Sequence, residues 1–316
     1  MSRKPASTAQ LEIIDFHAHA LPPGLATPPL QDAPLLPELR QIIARMADAE
    51  GLRRALDEQG VDRRIISVPL EAVPAQPGET ASDHMRRIND ALAELCETDP
   101  RLYGMAMINA YAGDAGASEL ERAVGDLGAV GCFVESARGN QLISNAACRP
   151  TLEAASSLGL PVFVHPVQEP SLDRKFEVAS FYQMNLGRAA VASTALASLL
   201  ESGVFDQLPN LNICVSSFAL AALALGGLFD MTRPDARALL QRHIHVDTVG
   251  LNAPALRFTA DILGADRLIL GTDWPVFAGD SLRDRFIAAA DEADFSSEER
   301  RLIASGNARR LFRLAP

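Results

Sequence analysis

The chain has 316 residues, of which 48% are hydrophobic, and its formal net charge is −11. Because binding to phosphates needs clustered Lys and Arg, this charge argues against nucleic acid and an anionic membrane surface as partners. The longest apolar run, Phe218–Phe229, is too short for the roughly 20 residues that cross a bilayer, and the polar start lacks a signal-peptide core. Four cysteines without CxxC spacing are typical of reduced thiols, so we expect a cytoplasmic protein.

Short β-rich runs alternate with longer amphipathic segments along the whole chain. Most runs are almost continuously apolar, as expected for strands that are covered on both faces. Eight such units in one chain predict a (β/α)8 TIM barrel that occupies residues 1–316 as a single domain. The predicted strands are Leu11–Phe16, Arg64–Val68, Leu102–Ile108, Val130–Glu135, Pro161–His165, Leu211–Ser216, His243–Asp247 and Leu268–Asp273.

Loops and glycine motifs add little to this interpretation. No GxGxxG or GxxxxGK[ST] sequence follows any predicted strand, which argues against a nucleotide-binding fold. The Pro-rich stretch Pro22–Pro37 predicts a long loop after the first strand, which could act as a lid over a site.

Metal-ligand residue types stand at the ends of three predicted strands. In "IIDFHAHALPPG", His17 and His19 share one face of the first strand, His165 ends the fifth, and Asp273 ends the eighth. The active site of a barrel lies at the carboxyl ends of its strands, so we expect these four side chains to meet there. They suit one divalent ion, Zn²⁺ or alternatively Mn²⁺ or Fe²⁺. Taken singly, each has a plainer interpretation, such as a buried hydrogen-bonded histidine or, for Asp273, a helix N-cap.

Five stretches resemble the amidohydrolase superfamily: "IIDFHAHALPPG", "LGLPVFVHP", "ESGVFDQLPNLNICV", "LGADRLILGTDWPV" and "GNARRLFRL". The branch they are most similar to is amidohydrolase-2, the aminocarboxymuconate-semialdehyde decarboxylase-like family. The resemblance implies a distorted (β/α)8 barrel with one Zn²⁺ or Mn²⁺ and the same four ligands. It also implies non-oxidative decarboxylation, hydrolysis or hydration of a small carboxylate, and assembly as a homodimer.

One position departs from the pattern that the resemblance implies. Family members usually carry a histidine after the sixth strand, in an "AHGGG"-like stretch, whereas this chain reads "NICVSSFALAAL" and places Ser217 there. A serine hydroxyl cannot replace an imidazole as an acid or base near neutral pH. In a hydrolase the ion would lower the pKa of its bound water toward about 7, and Asp273 would be the catalytic residue that accepts a proton.

Three explanations for Ser217 stay open. His245, which shares a face with His243 and Asp247 in "HIHVDT", could point into the site or face the barrel interior. Glu135, at the end of the fourth strand, could bridge a second ion or act as a base, or simply pair with Arg138. The chain could also be a catalytically degenerate subunit of a hetero-oligomer with an active paralogue.

Five residues are candidates for contacts with the substrate. Arg54, on the first long predicted helix, could meet a substrate carboxylate, although a solvated helix face is the plainer interpretation. Ser217, Asp247 and Thr248 are expected to line the pocket, and Trp274 either walls the pocket or belongs to the core. The predicted function is a metal-dependent decarboxylase or hydrolase that acts on a small carboxylated aromatic or unsaturated substrate.

Overall fold

The computed structural model describes residues 11–25 and 36–315, and in this part of the chain eight parallel strands form one sheet in chain order. The predicted (β/α)8 barrel is confirmed, since the sheet closes on itself and helices cover it. Residues 26–35 of the predicted loop Pro22–Pro37 lie outside the described ranges, and the single-domain organisation stays a prediction. The strands are β1 Ile14–His19, β2 Arg63–Ser67, β3 Leu102–Met107, β4 Gly131–Glu135, β5 Pro161–His165, β6 Asn212–Val215, β7 Ile244–Asp247 and β8 Leu268–Ile269.

Fourteen α-helices are assigned within the described ranges, together with short 3₁₀ turns, a π-helical turn at Leu302–Gly306 and a small hairpin of Ala137–Arg138 with Gln141–Leu142. None of these helices is both long enough and apolar enough to cross a membrane. The helices are α1 Pro37–Met46, α2 Ala49–Glu58, α3 Ala81–Glu97, α4 Asp114–Leu127, α5 Arg149–Leu158, α6 Pro170–Lys175, α7 Phe181–Glu201, α8 Val204–Gln207, α9 Leu220–Ala224, α10 Ala236–His243, α11 Ala253–Leu263, α12 Leu282–Glu292, α13 Ser297–Arg301 and α14 Asn307–Leu311.

The first long predicted helix is in fact two helices. It breaks at Ala47–Asp48, because the Asp48 side chain accepts a hydrogen bond from the Gly51 amide and so starts α2 as its N-cap. Thr80 caps α3 in the same way through the Asp83 amide. A capping box of Ser296 and Glu299 begins α13.

The barrel closes where β1 meets the segment after Ile269. The Phe16 amide donates to the Leu270 carbonyl, and the His19 amide donates to the Trp274 carbonyl. The eighth strand is shorter than predicted, because side chains take the hydrogen bonds that a regular ladder would use: the Gly271 amide donates to Thr248 Oγ1 and the Thr272 amide to Asp15 Oδ1. Hydrogen bonds to side chains, in place of a regular ladder, therefore hold the carboxyl end of β8 next to β1.

An aromatic cluster fills the barrel beneath the carboxyl ends of the strands. The ring centroids of Phe16 and Phe163 are 5.3 Å apart, and Phe133 lies 5.7 Å from Phe163. Phe312, near the carboxyl terminus, adds a fourth ring 5.7 Å from Phe16. Phe163 packs edge-on against His17, and Phe133 packs edge-on against His19. The two histidines therefore lie on a layer of apolar rings.

A buried ion pair links the strands beside this floor. Arg64 on β2 and Asp15 on β1 are fully buried, and Nε of the arginine donates to Asp15 Oδ2 at 2.9 Å. The same carboxylate accepts from the Thr272 hydroxyl at 2.7 Å. Asp15 therefore joins β1, β2 and the segment after β8 at a single point.

We expect Arg64→Met to lower the free energy of unfolding by about 3–5 kcal/mol, because it leaves the Asp15 carboxylate buried without its cation. Chemical denaturation would measure the loss. Arg301→Met is the matched control, because Arg301 pairs with Glu298 on an exposed helix surface and should change little. Equal losses in the two variants would contradict this account of Asp15.

Candidate metal centre

Four side chains from three strands meet at the carboxyl end of the barrel. His17 and His19 lie on β1, His165 ends β5, and Asp273 follows β8. All four are buried, and one ligand atom from each lies within 4.8 Å of the other three. The structure thus brings together the four residues that the strand-end pattern selected, and a single cation can contact all of them.

Hydrogen bonds on the far side of each ring fix the orientation of the two β1 histidines. His17 Nδ1 lies 2.6 Å from Asp247 Oδ2, and His19 Nδ1 lies 3.0 Å from Ser67 Oγ. A carboxylate can only accept, so the Nδ1 proton of His17 is on the Asp247 side. The Ser67 hydroxyl is directed at the Ala18 carbonyl, which leaves its oxygen to accept from His19 Nδ1. Both Nε2 lone pairs therefore face the centre of the cluster.

Three atoms that can each offer a lone pair to a metal ion lie close together at the centre of the cluster. The two Nε2 atoms are only 3.2 Å apart, and Asp273 Oδ1 lies 3.5 Å from the Nε2 of His17 and 3.2 Å from that of His19. Three acceptor atoms this close repel one another unless a cation lies between them. Nitrogen and oxygen donors of this kind are the common ligands of Zn²⁺ and suit Mn²⁺ and Fe²⁺ as well. The donor set thus fits a divalent metal ion.

The protonation states agree with this interpretation. Burial lowers the pKa of His19 and, more strongly, of His165, so both rings are neutral near pH 7. Burial opposes ionisation of Asp273, but the charge of His17 and the hydrogen bond from His19 outweigh it and lower the pKa of this carboxyl. Burial also opposes protonation of His17, but Asp273 and Asp247 outweigh it and raise its pKa. A metal ion would therefore meet a carboxylate and two neutral imidazoles, those of His19 and His165, and at His17 it would compete with a proton.

The backbone also fixes Asp273. Its φ is +56°, in the left-handed region, which Asp and Asn adopt more readily than most residues. Its amide donates to the His17 carbonyl at 2.8 Å, so the carboxylate and the His17 ring are positioned by the same contact between strands.

Asp247, predicted to line the pocket, instead supports the cluster from behind. It is fully buried, and its Oδ1 accepts from the amides of Ser217 at 2.8 Å and Val249 at 3.1 Å. Its Oδ2 holds His17 Nδ1. The carboxylate therefore selects the tautomer of His17 that leaves Nε2 free to bind a metal.

We expect Asp247→Asn to weaken metal binding by about 10–100-fold. With the amide oxygen kept by the two backbone donors, the NH₂ group would face His17 Nδ1 and force the ring proton onto Nε2. Competition with a chelating dye would measure the affinity. Asp261→Asn, on the exposed face of α11, is the control and should bind as tightly as the unchanged protein. Unchanged affinity in Asp247→Asn would refute the tautomer argument.

Ser217 begins the turn after β6, and its polar groups are engaged elsewhere. Its hydroxyl donates to the Val249 carbonyl at 2.5 Å, and its amide donates to Asp247. The side chain is therefore tied to the loop after β7. That relatives carry a histidine at this position stays a prediction.

The structure does not bring the two candidate replacements for that histidine into the cluster. Glu135 ends β4 next to His165, but its Oε2 accepts from Arg138 at 2.9 Å. Of the interpretations given for Glu135, the structure therefore has the pair with Arg138. His245 is buried with its Nε2 3.4 Å from Arg267, below the cluster, and burial with the charges of Arg267 and Arg310 lowers its pKa to about 3. His243 ends α10 instead of beginning β7, and its ring stacks on Phe205.

The remaining substrate-binding candidates are not members of the group of four potential ligands. The Arg54 side chain is 59% exposed and pairs with Asp48 and Glu50 on the surface of α2, as the plainer interpretation had it. Trp274 is buried, with the Arg64 guanidinium 5.4 Å from its ring centroid, so it belongs to the core. The Thr248 hydroxyl bridges to the backbone of Gly271. Each of these residues has a structural partner.

Sequence reasoning missed two residues near the ligands. Ser67 ends β2, so the rule that selected the other strand-end residues would also have found it. Arg188 lies in the middle of α7, and its Nη2 donates at 2.8 Å to the carbonyl of Pro166, the residue after His165. Nothing in the sequence separates it from the arginines on solvated helix faces.

Comparisons with known proteins identify the family of the chain and agree with its fold. The family model described as "Amidohydrolase" matches residues 14–314. Gamma-resorcylate decarboxylase of Rhizobium sp. is 29% identical over 299 residues, which cover 87% of this chain and 90% of that protein. 2-Amino-3-carboxymuconate-6-semialdehyde decarboxylase of Dictyostelium discoideum is 26% identical over 88% of this chain and 80% of its own length. A crystal structure of 2,6-dihydroxybenzoate decarboxylase from Rhizobium superimposes with a TM-score of 0.80, at 25% identity, over 96% of this chain and 99% of that one.

Proposed function

The chain belongs to the amidohydrolase family, and on that premise we propose that it is a metal-dependent carboxy-lyase that removes CO₂ non-oxidatively from a small carboxylated aromatic or unsaturated acid. The observation that carries the proposal is the buried group His17, His19, His165 and Asp273, a divalent-metal site that contains a single acidic side chain. The decarboxylase relatives, matched over most of their length, support the choice of reaction.

The four ligands would hold one divalent ion, Zn²⁺ or Mn²⁺, next to the aromatic cluster that fills the barrel. Such an ion supplies Lewis acidity, which draws electron density from the oxygen atoms of a bound carboxylate and of a neighbouring hydroxyl or carbonyl group. The rings of His17 and His19 are held on their far sides by Asp247 and Ser67, so the geometry exists before the substrate binds.

Asp273 is the group in the cluster that can carry the proton. Because its pKa is lowered, it is ionised at neutral pH and can accept a proton from an acidic hydroxyl of the substrate. When the carbon–carbon bond breaks, the electron pair stays on the substrate carbon and CO₂ leaves. Asp273 then returns the proton to that carbon, so the side chain ends in its starting state.

Ser217 takes no part in this proton transfer, because its hydroxyl donates to the Val249 carbonyl. Among the described residues, the imidazoles near the substrate would be those of the three metal-ligating histidines. The reaction therefore depends on Asp273 more heavily than it would with a histidine at the strand-six position.

The test is release of CO₂ by protein loaded with Zn²⁺ or Mn²⁺, first from 2,6-dihydroxybenzoate and then from other hydroxylated aromatic and unsaturated carboxylic acids. We expect about one ion per chain, and turnover that a chelator abolishes. Two ions per chain would favour a dinuclear enzyme that uses Glu135. A loaded protein that binds these acids without turning them over would support the non-catalytic subunit of a hetero-oligomer.

We also propose that the chain forms a homodimer in a reducing, cytoplasmic compartment. The large apolar side chains of Tyr182, Leu186, Leu228 and Met231 are more than half exposed, which suits burial against a second copy. All four cysteines are free thiols. Sedimentation of the purified protein would measure the assembly state, and a monomer at micromolar concentration would overturn the dimer.

A further inference from the structure

Arg188 is a cation beside the metal site that lacks an anionic partner. On the described residues it forms no ion pair within 4.0 Å, and its Nε is shielded from solvent without a hydrogen-bond partner. Only its Nη2 is engaged, by the carbonyl that follows His165. A shielded guanidinium donor without an acceptor is costly, so the side chain is poised for a partner that the protein does not itself supply.

Other arginines that are largely buried show what is missing. Arg64 pairs with Asp15, Arg87 with Glu79 and Arg122 with Glu119, each at 2.9 Å or less. Arg188 is also partly buried, yet its guanidinium contacts the Pro166 carbonyl and not a carboxylate. These three arginines are therefore neutralised by carboxylates, whereas Arg188, at the carboxyl end of the barrel, is not.

The charge of Arg188 reaches the metal ligands. Its guanidinium is held at the end of β5, because Nη2 donates at 2.8 Å to the carbonyl of Pro166, the residue directly after His165. With a divalent ion, the Asp273 carboxylate and the Asp247 carboxylate behind His17, the centre is about neutral. Arg188 then supplies a positive charge that the centre does not neutralise, and this charge suits an anionic group beyond the one that binds the metal.

The chemistry of decarboxylation decides which anion an arginine should hold. The carboxylate that is lost becomes neutral CO₂, so an arginine bound to it would stabilise the substrate more than the transition state and slow the reaction. An arginine bound to a group that keeps its charge has no such cost. Its binding energy can be used to orient the substrate over the metal.

We propose that Arg188 binds a second carboxylate of the substrate, one that is retained in the product, and that the substrate is an aromatic or unsaturated dicarboxylate. The choice of retained over departing carboxylate rests on the proposed function. The anion-binding role of Arg188 does not, because it follows from the unpaired guanidinium beside the ligands.

The test compares benzene-1,3-dicarboxylate with benzoate as probes, by calorimetry on the Zn²⁺-loaded protein. We expect the dicarboxylate to bind at least about tenfold more tightly than benzoate, the effect of one charge-assisted hydrogen bond. Arg188→Gln should remove that difference by weakening the dicarboxylate alone, and Arg188→Lys should restore part of it. Metal content and benzoate affinity should not change.

Arg174→Gln is the matched control, because Arg174 is an exposed cation on the neighbouring helix α6. It should leave both affinities unchanged, whereas equal effects of the two substitutions would show only a general positive field and overturn the proposal. Loss of benzoate binding or of metal in Arg188→Gln would show a structural role, through the Pro166 contact, and overturn it as well. So would equal binding of the two probes by the unchanged protein.

Turnover separates this inference from the proposed function. If the protein binds the dicarboxylate through Arg188 and decarboxylates none of the acids in the panel, the carboxy-lyase proposal fails and the anion site stands. If it decarboxylates dicarboxylates and Arg188→Gln does so equally well, the carboxy-lyase proposal stands and the dicarboxylate inference fails.

Discussion

His165→Ala is expected to leave the purified protein with well under one metal ion per chain and to lower turnover by at least about 10³-fold. The imidazole is one of four ligands, and a Lewis-acidic ion supplies several kcal/mol of transition-state stabilisation. His165 is the ligand to replace first, because its ring makes no hydrogen bond to any other described residue. Its truncation therefore removes a ligand without breaking the network behind the site. Elemental analysis and the CO₂ assay would measure the two effects.

His84→Ala is the matched control for this prediction. His84 lies on α3, partly buried, its Nε2 contacts the Val73 carbonyl, and it is not a member of the group of four. The variant should keep about one ion per chain. Full metal occupancy and activity in His165→Ala would show that the cluster is not the metal centre, and the proposed function would fall with it.

Asp273→Asn is expected to retain a folded protein and to lower turnover by at least about 10²-fold. Asparagine keeps an oxygen that can face the metal, but it cannot accept the substrate proton and return it to the carbon. It also adopts the left-handed backbone conformation at this position as readily as aspartate does, so the substitution adds no backbone strain. Rates on the metal-reconstituted variant, normalised to bound metal, would isolate the loss of proton transfer.

Asp294→Asn provides a control with the same chemistry. Asp294 also has a positive φ, +53°, but it is exposed after α12, away from the site. It should keep full activity. If metal-loaded Asp273→Asn decarboxylated at the rate of the unchanged protein, another group would have to carry the proton, and the role assigned to Asp273 would be wrong.

The amino-acid sequence by itself determined the barrel and the four residues that meet at its carboxyl end, for a local reason. A strand covered on both faces needs an almost continuous apolar run, and a polar residue such as His165 at its carboxyl end lies at the rim of the barrel where a site forms. The alternation of His17 and His19 with apolar residues fixes their common face. These signals lie within a few neighbouring residues, so they can be recognised without knowing what packs against them.

Only the tertiary structure decided what surrounds the ligands. Asp247 supports His17 across 230 residues of sequence, and Ser67 holds His19 across 48. Glu135 and Arg54 carry the same charge whether they face a substrate or a neighbouring side chain, and in the fold each has a neighbour as its partner. Arg188 is an ordinary helix arginine in the sequence, and its lack of a carboxylate partner is visible only once α7 is packed against the end of β5. Hydrogen bonds and ion pairs between distant segments are properties of packing, whereas hydrophobic period and strand-end polarity are properties of the local chain.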